Sequence, residues 1–127
     1  MGLSVKWATC NIGADSPSDY GDYFAWGETK PKSEYTEANS LTYKKYFINV
    51  SGSQYDAAQT KWGGTWKVPT KKEFTELQNN STFEWTTLNG KPVVKVTSKR
   101  NGNFIYLPAT GYRYGSSLYG AGNFAGF

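Results

Sequence analysis

The chain has 127 residues, a net charge of +4 and a mean hydropathy of -0.63. That length suits one domain with a modest core, and no run approaches the roughly 20 apolar residues of a membrane-spanning helix. Histidine is absent, which removes the commonest general base and metal ligand, and the single cysteine, Cys10, rules out an internal disulfide framework.

Aromatic residues make up 17% of the chain: ten Tyr, seven Phe and five Trp. A core built largely from rings, with 14 glycines to turn the backbone, points to a loop-rich fold. The basic pairs Lys44-Lys45, Lys71-Lys72 and Lys99-Arg100 are scattered. They read as a solvated surface, and no nucleic-acid partner is expected. Cys10 stands among Trp7, Ala8 and Ile12 and reads as a small buried hydrophobe.

In chain order, residues 3–9 are a predicted strand, with Leu3, Val5 and Trp7 alternating to one face. Residues 13–21 form a polar turn region. Residues 23–26 are a short aromatic run in which Tyr23 and Trp26 read as core rings, with Trp26 kept as an outside candidate for ligand contact. Residues 29–40 are a loop. Residues 41–50 set Lys44 and Lys45 beside Tyr43, Tyr46 and Phe47. That mixture suits single-stranded nucleic acid, but an ordered loop packed by its own rings is the plainer reading. Residues 55–61 are a helical turn beginning near Asp56, a residue suited to a helix N-terminus.

The stretch Trp62–Asn80 is the most informative. Trp62-Gly63-Gly64-Thr65-Trp66 is a tight turn between two indoles, and Val68 is held extended by Pro69. Thr70 and Glu73 have the spacing of a capping box, so a helix is expected over residues 71–79, with Phe74 and Leu77 on its inner face. Asn89-Gly90 and Asn101-Gly102 then separate β-rich runs at residues 83–88, 92–98 and 103–107, which predicts an antiparallel meander. Pro92 is tolerable at a strand start. Residues 111–127, GYRYGSSLYGAGNFAGF, form either an exposed aromatic surface or a floppy tail.

The motif Trp62-Gly-Gly-x-Trp66-x-x-Pro69-Thr70-x-x-Glu73-Phe74 resembles the signature of the Fibrobacter major paralogous domain family. Val5–Ala14, Tyr20–Glu28, Tyr55–Ala58, Asn101–Asn103 and Leu107–Arg113 agree in order, so the likeness covers nearly the whole chain. It implies a single α+β domain of C-type-lectin-like fold, with short helices, a small antiparallel meander and long loops. It also implies a bacterial protein, secreted or at the cell surface. The chain itself opens directly on the first motif, which leaves a mature or excised fragment and a cytoplasmic protein both open. Members of that family continue into closing strands beyond the equivalent of Phe127. The resemblance therefore implies a truncated domain with unpaired strand edges, open to a second copy or a complementing chain.

An enzyme is not expected. Formylglycine-generating enzymes share the Pro69-Thr70-x-x-Glu73 helix start but act through a late cysteine pair that is absent here. The calcium-binding motifs of true C-type lectins are absent too, and Asp15, Asp19 and Asp22 lack the spacing of a calcium loop, so they read as turn formers and no metal or cofactor is expected. The function expected is a non-catalytic binding module that recognises a glycan or protein ligand through aromatic loops. The candidate residues are Tyr112, Arg113, Tyr114, Tyr119, Asn123 and Phe124, with Trp26. Retroelement-diversified proteins of this fold vary the same late region. The alternative is an assembly domain completed by strand exchange.

Overall fold

The computed structural model describes residues 1–44 and 49–123. It has an α+β fold in which two helices, α1 (Ala57–Trp62) and α2 (Lys71–Asn79), precede two antiparallel sheets. β1 (Ser81–Leu88), β2 (Lys91–Ser98) and β3 (Phe104–Pro108) form a sheet in that order, and β4 (Tyr112–Tyr114) pairs with β5 (Ser117–Tyr119). No helix among the described residues is long and apolar enough to cross a membrane.

Asp56 caps α1 where the sequence predicts its start. The carboxylate is fully buried and accepts three backbone N–H groups: Gln59 at 3.0 Å, and Gly52 and Val68 at 2.8 Å each. A helix of six residues is marginal alone, so these bonds and the burial of Ala57 and Ala58 hold it. The Gly63-Gly64 turn follows, with both glycines at positive φ and the Trp62 and Trp66 rings edge to face at 5.2 Å.

α2 covers the nine residues that the capping box predicts. Thr70 Oγ1 accepts from the Glu73 amide and the Glu73 carboxylate from the Thr70 amide, both at 3.2 Å. The Lys67 ammonium lies 2.5 Å from the same carboxylate. Leu77, completely buried, packs with Val94, Val96 and Ile105, and Phe74 meets Trp7 edge-on at 6.3 Å. Burying a leucine this fully contributes about 2 kcal/mol.

The meander forms as the two Asn-Gly pairs predict. Asn89 (φ 52°) and Gly90 (φ 76°) both have positive φ, the requirement of the two-residue type I′ turn that matches strand twist. Trp85 pairs with Val94 and Val94 with Leu107; Phe83 pairs with Val96 and Val96 with Ile105. These rows share the sheet face that α2 covers. Cover stops short of β1, where Phe83 is 40% and Trp85 57% exposed.

Several expectations fail. Residues 3–9 form no strand. Leu3 and Trp7 still pack on the core, but the Ser4 N–H and hydroxyl both donate to the Glu76 carboxylate, a side-chain acceptor in place of a ladder. Trp26 is not a core ring: it is 55% exposed, while its carbonyl accepts from the buried Thr42 hydroxyl. Cys10 is only half-buried, with Sγ 3.6 Å from the Ala14 carbonyl. Leu41 is 70% and Tyr43 46% exposed, and the expected packing of residues 41–50 by their own rings falls on Tyr46 and Phe47, which with Lys45 and Ile48 lie outside the described residues.

Replacing Asp56 with alanine strands three backbone N–H groups that its buried carboxylate satisfies. Urea unfolding is expected to show a loss of about 3 kcal/mol or more. A second test concerns Glu73. The Lys67 hydrogen bond outweighs burial and holds this carboxyl below its ordinary value of 4.5. Its stabilisation is therefore complete above that value and lost as pH falls through the lower, folded value. Lys67→Gln should lower the melting temperature at neutral pH, and the gap from the parent chain should narrow as pH falls below 4.5 and close as it passes through the lower, folded value.

Candidate ligand-binding cleft

Gly111 sets up the β4–β5 hairpin. Its φ is 64°, and a Cβ built there would collide with the Tyr119 carbonyl oxygen and the Ala121 nitrogen. Only glycine lets the chain leaving β5 pass so close. The strands turn through Gly115-Ser116, with Gly115 at φ 61°, the glycine-first form of a two-residue hairpin loop. Two reciprocal bonds clip the tip to a distant loop: Tyr35 N to Gly115 O at 2.8 Å and Gly115 N to Tyr35 O at 2.9 Å.

A tyrosine chain carries this clip inward. The Tyr35 hydroxyl accepts from Lys32 N at 2.9 Å and donates to the Tyr23 carbonyl at 2.7 Å. The Tyr23 hydroxyl donates to the Thr110 carbonyl at 2.6 Å. The Arg113 guanidinium lies over the Tyr23 ring, 4.8 Å from its centroid. Burial pushes the Tyr23 phenol above its ordinary value of 10.0, with the Arg113 charge opposing.

Between this frame and the 11–24 loop opens a cleft of about 340 Å³. Asn11, Tyr20, Asp22, Tyr23, Tyr112 and Arg113 line it. Asn11 is fixed by donating its amide N–H to the Tyr20 carbonyl at 3.2 Å. The Asp22 side chain is exposed and has no partner among the described residues. The cleft thus presents a carboxylate acceptor, a guanidinium donor and several ring faces.

A larger apolar groove of about 760 Å³ runs along α2. Its walls include Trp7, Phe74, Ile105 and Leu107, which are side chains of the core itself. It shares Asn11 and Asp22 with the cleft, and Thr70, Lys71, Thr75 and Gln78 add polar groups along its rim.

The candidate residues divide. Tyr112 and Arg113 line the cleft. Tyr119 stacks on Tyr112 at 5.8 Å and lies behind it, outside the lining. Tyr114 is 69% exposed beyond the cleft, and Trp26 and Asn123 are exposed elsewhere. Phe124 lies outside the described residues. Asn11, Tyr20, Asp22, Tyr23 and Tyr35 were not among the candidates. A signal did exist for four of them, because all but Tyr35 stand in the motif segments around residues 5–14 and 20–28 that carry the family resemblance. Asp22 in particular reads as a turn former but reaches the cleft wall.

Comparison of the chain with protein-family models, with curated proteins and with solved structures finds no match. The residues of the cleft therefore carry the functional reading by themselves.

Gly111→Ala forces a β-carbon into the returning backbone. A loss of about 2 kcal/mol or more is expected in thermal unfolding, with hydrogen exchange quickening at the Tyr35–Gly115 clip before the meander is affected.

Proposed function

We propose that this chain is a non-catalytic binding module of C-type-lectin-like architecture, working outside the cell, and that it holds a glycan in the Tyr20–Arg113 cleft. The observation that carries the reading is the composition of that cleft. Flat tyrosine faces cover the apolar side of a sugar ring, while a carboxylate and a guanidinium serve its hydroxyls as acceptor and donor. Its volume sits at the lower end of the range for small-ligand sites. The Arg113–Tyr23–Thr110 contacts fix the walls in advance, so binding orders few side chains. Motif segments far apart in the sequence converge there, which supports the lectin-like reading.

A protein ligand is the second reading. It rests on Tyr114 and Tyr119, which stand exposed on the hairpin beside the cleft.

A glycan array probed with the parent chain, Asp22→Asn and Arg113→Ala separates the readings. Each substitution is expected to weaken capture about tenfold or more, equivalent to roughly 1.4 kcal/mol, with little change in melting temperature. Tyr114→Ala should leave glycan capture intact. Absence of capture by the parent chain would overturn the glycan reading, and capture insensitive to both cleft substitutions would move the site elsewhere.

A further inference from the structure

The sheet leaves its eight-residue strand β1 at the edge: β2 lies on one side, and no strand among the described residues lies on the other. The ladder fixes which peptide groups are unpaired. Lys99 N–H donates to the Asn80 carbonyl at 2.8 Å, so the even-numbered residues of β1 bond to β2. The peptide groups of Ser81, Phe83, Trp85 and Thr87 point outward.

Soluble proteins blunt such edges with lysine, proline, a bulge or short length. β3 shows two of these devices, with five residues and Pro108 at its end. β1 has only the single charge of Glu84: STFEWTTL has no lysine, proline or glycine, and its register against β2 is unbroken. The same strand carries Phe83 and Trp85 half exposed on the core side of the sheet. Unsatisfied donors, unsatisfied acceptors and uncovered rings thus coincide on one edge.

We propose that β1 pairs antiparallel with β1 of a second copy, about a two-fold axis at Trp85, to give a continuous six-stranded sheet. The strand is complementary to itself in this register. Trp85 meets Trp85 of the partner subunit, and Phe83 meets the partner's Thr87. Glu84, the only charge on the strand, meets the partner's Thr86. Sliding the axis to Glu84 would set two carboxylates directly opposite, which is unfavourable. Sliding it to Thr86 would pair Phe83 with the partner's Asn89, whose positive φ in the turn cannot continue a ladder. The Trp85 register forms about six new backbone hydrogen bonds. It also extends the Leu107–Val94–Trp85 row across the axis, so the core face of one copy runs into that of the next. Glu84 keeps Lys95 as its neighbour across the inner ladder, so no uncompensated charge enters the interface. The cleft takes no part in this pairing.

Light scattering behind a sizing column tests it, from micromolar to near-millimolar chain. The parent protein is expected to reach twice 14.2 kDa, and Trp85→Lys to stay at 14.2 kDa with an unchanged far-ultraviolet spectrum. Leu41→Lys, which adds the same charge at a site 70% exposed, should dimerise like the parent. A parent chain that remains monomeric throughout overturns the proposal. So does a folded Trp85→Lys variant that still dimerises. Register is read independently of that variant's folding. Glu84→Cys and Thr86→Cys chains, each carrying Cys10→Ser, are mixed and oxidised. Opposed β-carbons about 5 Å apart should yield a disulfide between unlike chains. A dimer that does not cross-link this way places the contact on another surface and overturns the β1 pairing.

Discussion

The buried Asp56 carboxylate is the constraint on which the middle of the molecule depends. It gathers N–H groups from the 50–55 loop, from the first turn of α1 and from the extended Val68. Through Val68 it fixes the approach to Thr70 and so the start of α2. α2 in turn sets Leu77 over Val94, Val96 and Ile105. A carboxylate in apolar surroundings is costly unless its oxygens are satisfied, and here backbone amides supply that satisfaction. The same device recurs on a smaller scale at Glu28. That buried carboxylate accepts from the Lys32 ammonium and the Leu41 amide, closing the 28–41 loop on itself.

Such side-chain-to-backbone bonds explain how a chain with little regular structure in its first half holds a shape. Few aliphatic residues are available, and the fully buried cluster is small. Tyrosine hydroxyls do part of the work of a ladder: Tyr35 to the Tyr23 carbonyl, and Tyr23 to the Thr110 carbonyl. A ring with one polar atom both fills space and satisfies a backbone group, which suits an aromatic-rich, glycine-rich composition. The cleft is a consequence of this style of packing. Rings used as struts leave faces and edges open between them.

Where a structural signal is local, it was legible in the sequence. The Thr70/Glu73 spacing located α2 to the residue, and Asn89-Gly90 located the first hairpin. Asp56 read correctly as a helix start, but its bonds to Gly52 and Val68 are long-range and left no trace in the spacing. The strand read over residues 3–9 followed a real alternation. Alternation reports which side chains face inward, and Leu3 and Trp7 do; it does not report whether the backbone finds a ladder. The β4–β5 hairpin was obscured by a glycine-rich composition equally suited to a tail. Tyr112 and Arg113 were legible as candidates because they stand in the ring-rich segment of residues 111–127. Asn11, Tyr20 and Asp22 showed only as members of the motif segments; their meeting with Tyr112 and Arg113 was not legible, since only the fold brings residues near 11 and 22 against residues near 112.

Those distant closures also set an order of assembly. Met1 is bound through its carbonyl to the Ser98 hydroxyl, 97 positions away. Ser4 is held by Glu76, Asp19 by Lys91, and Tyr23 by Thr110. The opening segment contains no helix or strand of its own among the described residues, so it has nothing to dock on until the meander exists. During synthesis at about 5–20 residues per second, it leaves the ribosome several seconds before its partners. For that interval its tyrosines and tryptophans stand uncovered in solution. The segment made before its partners is thus the last to find its place.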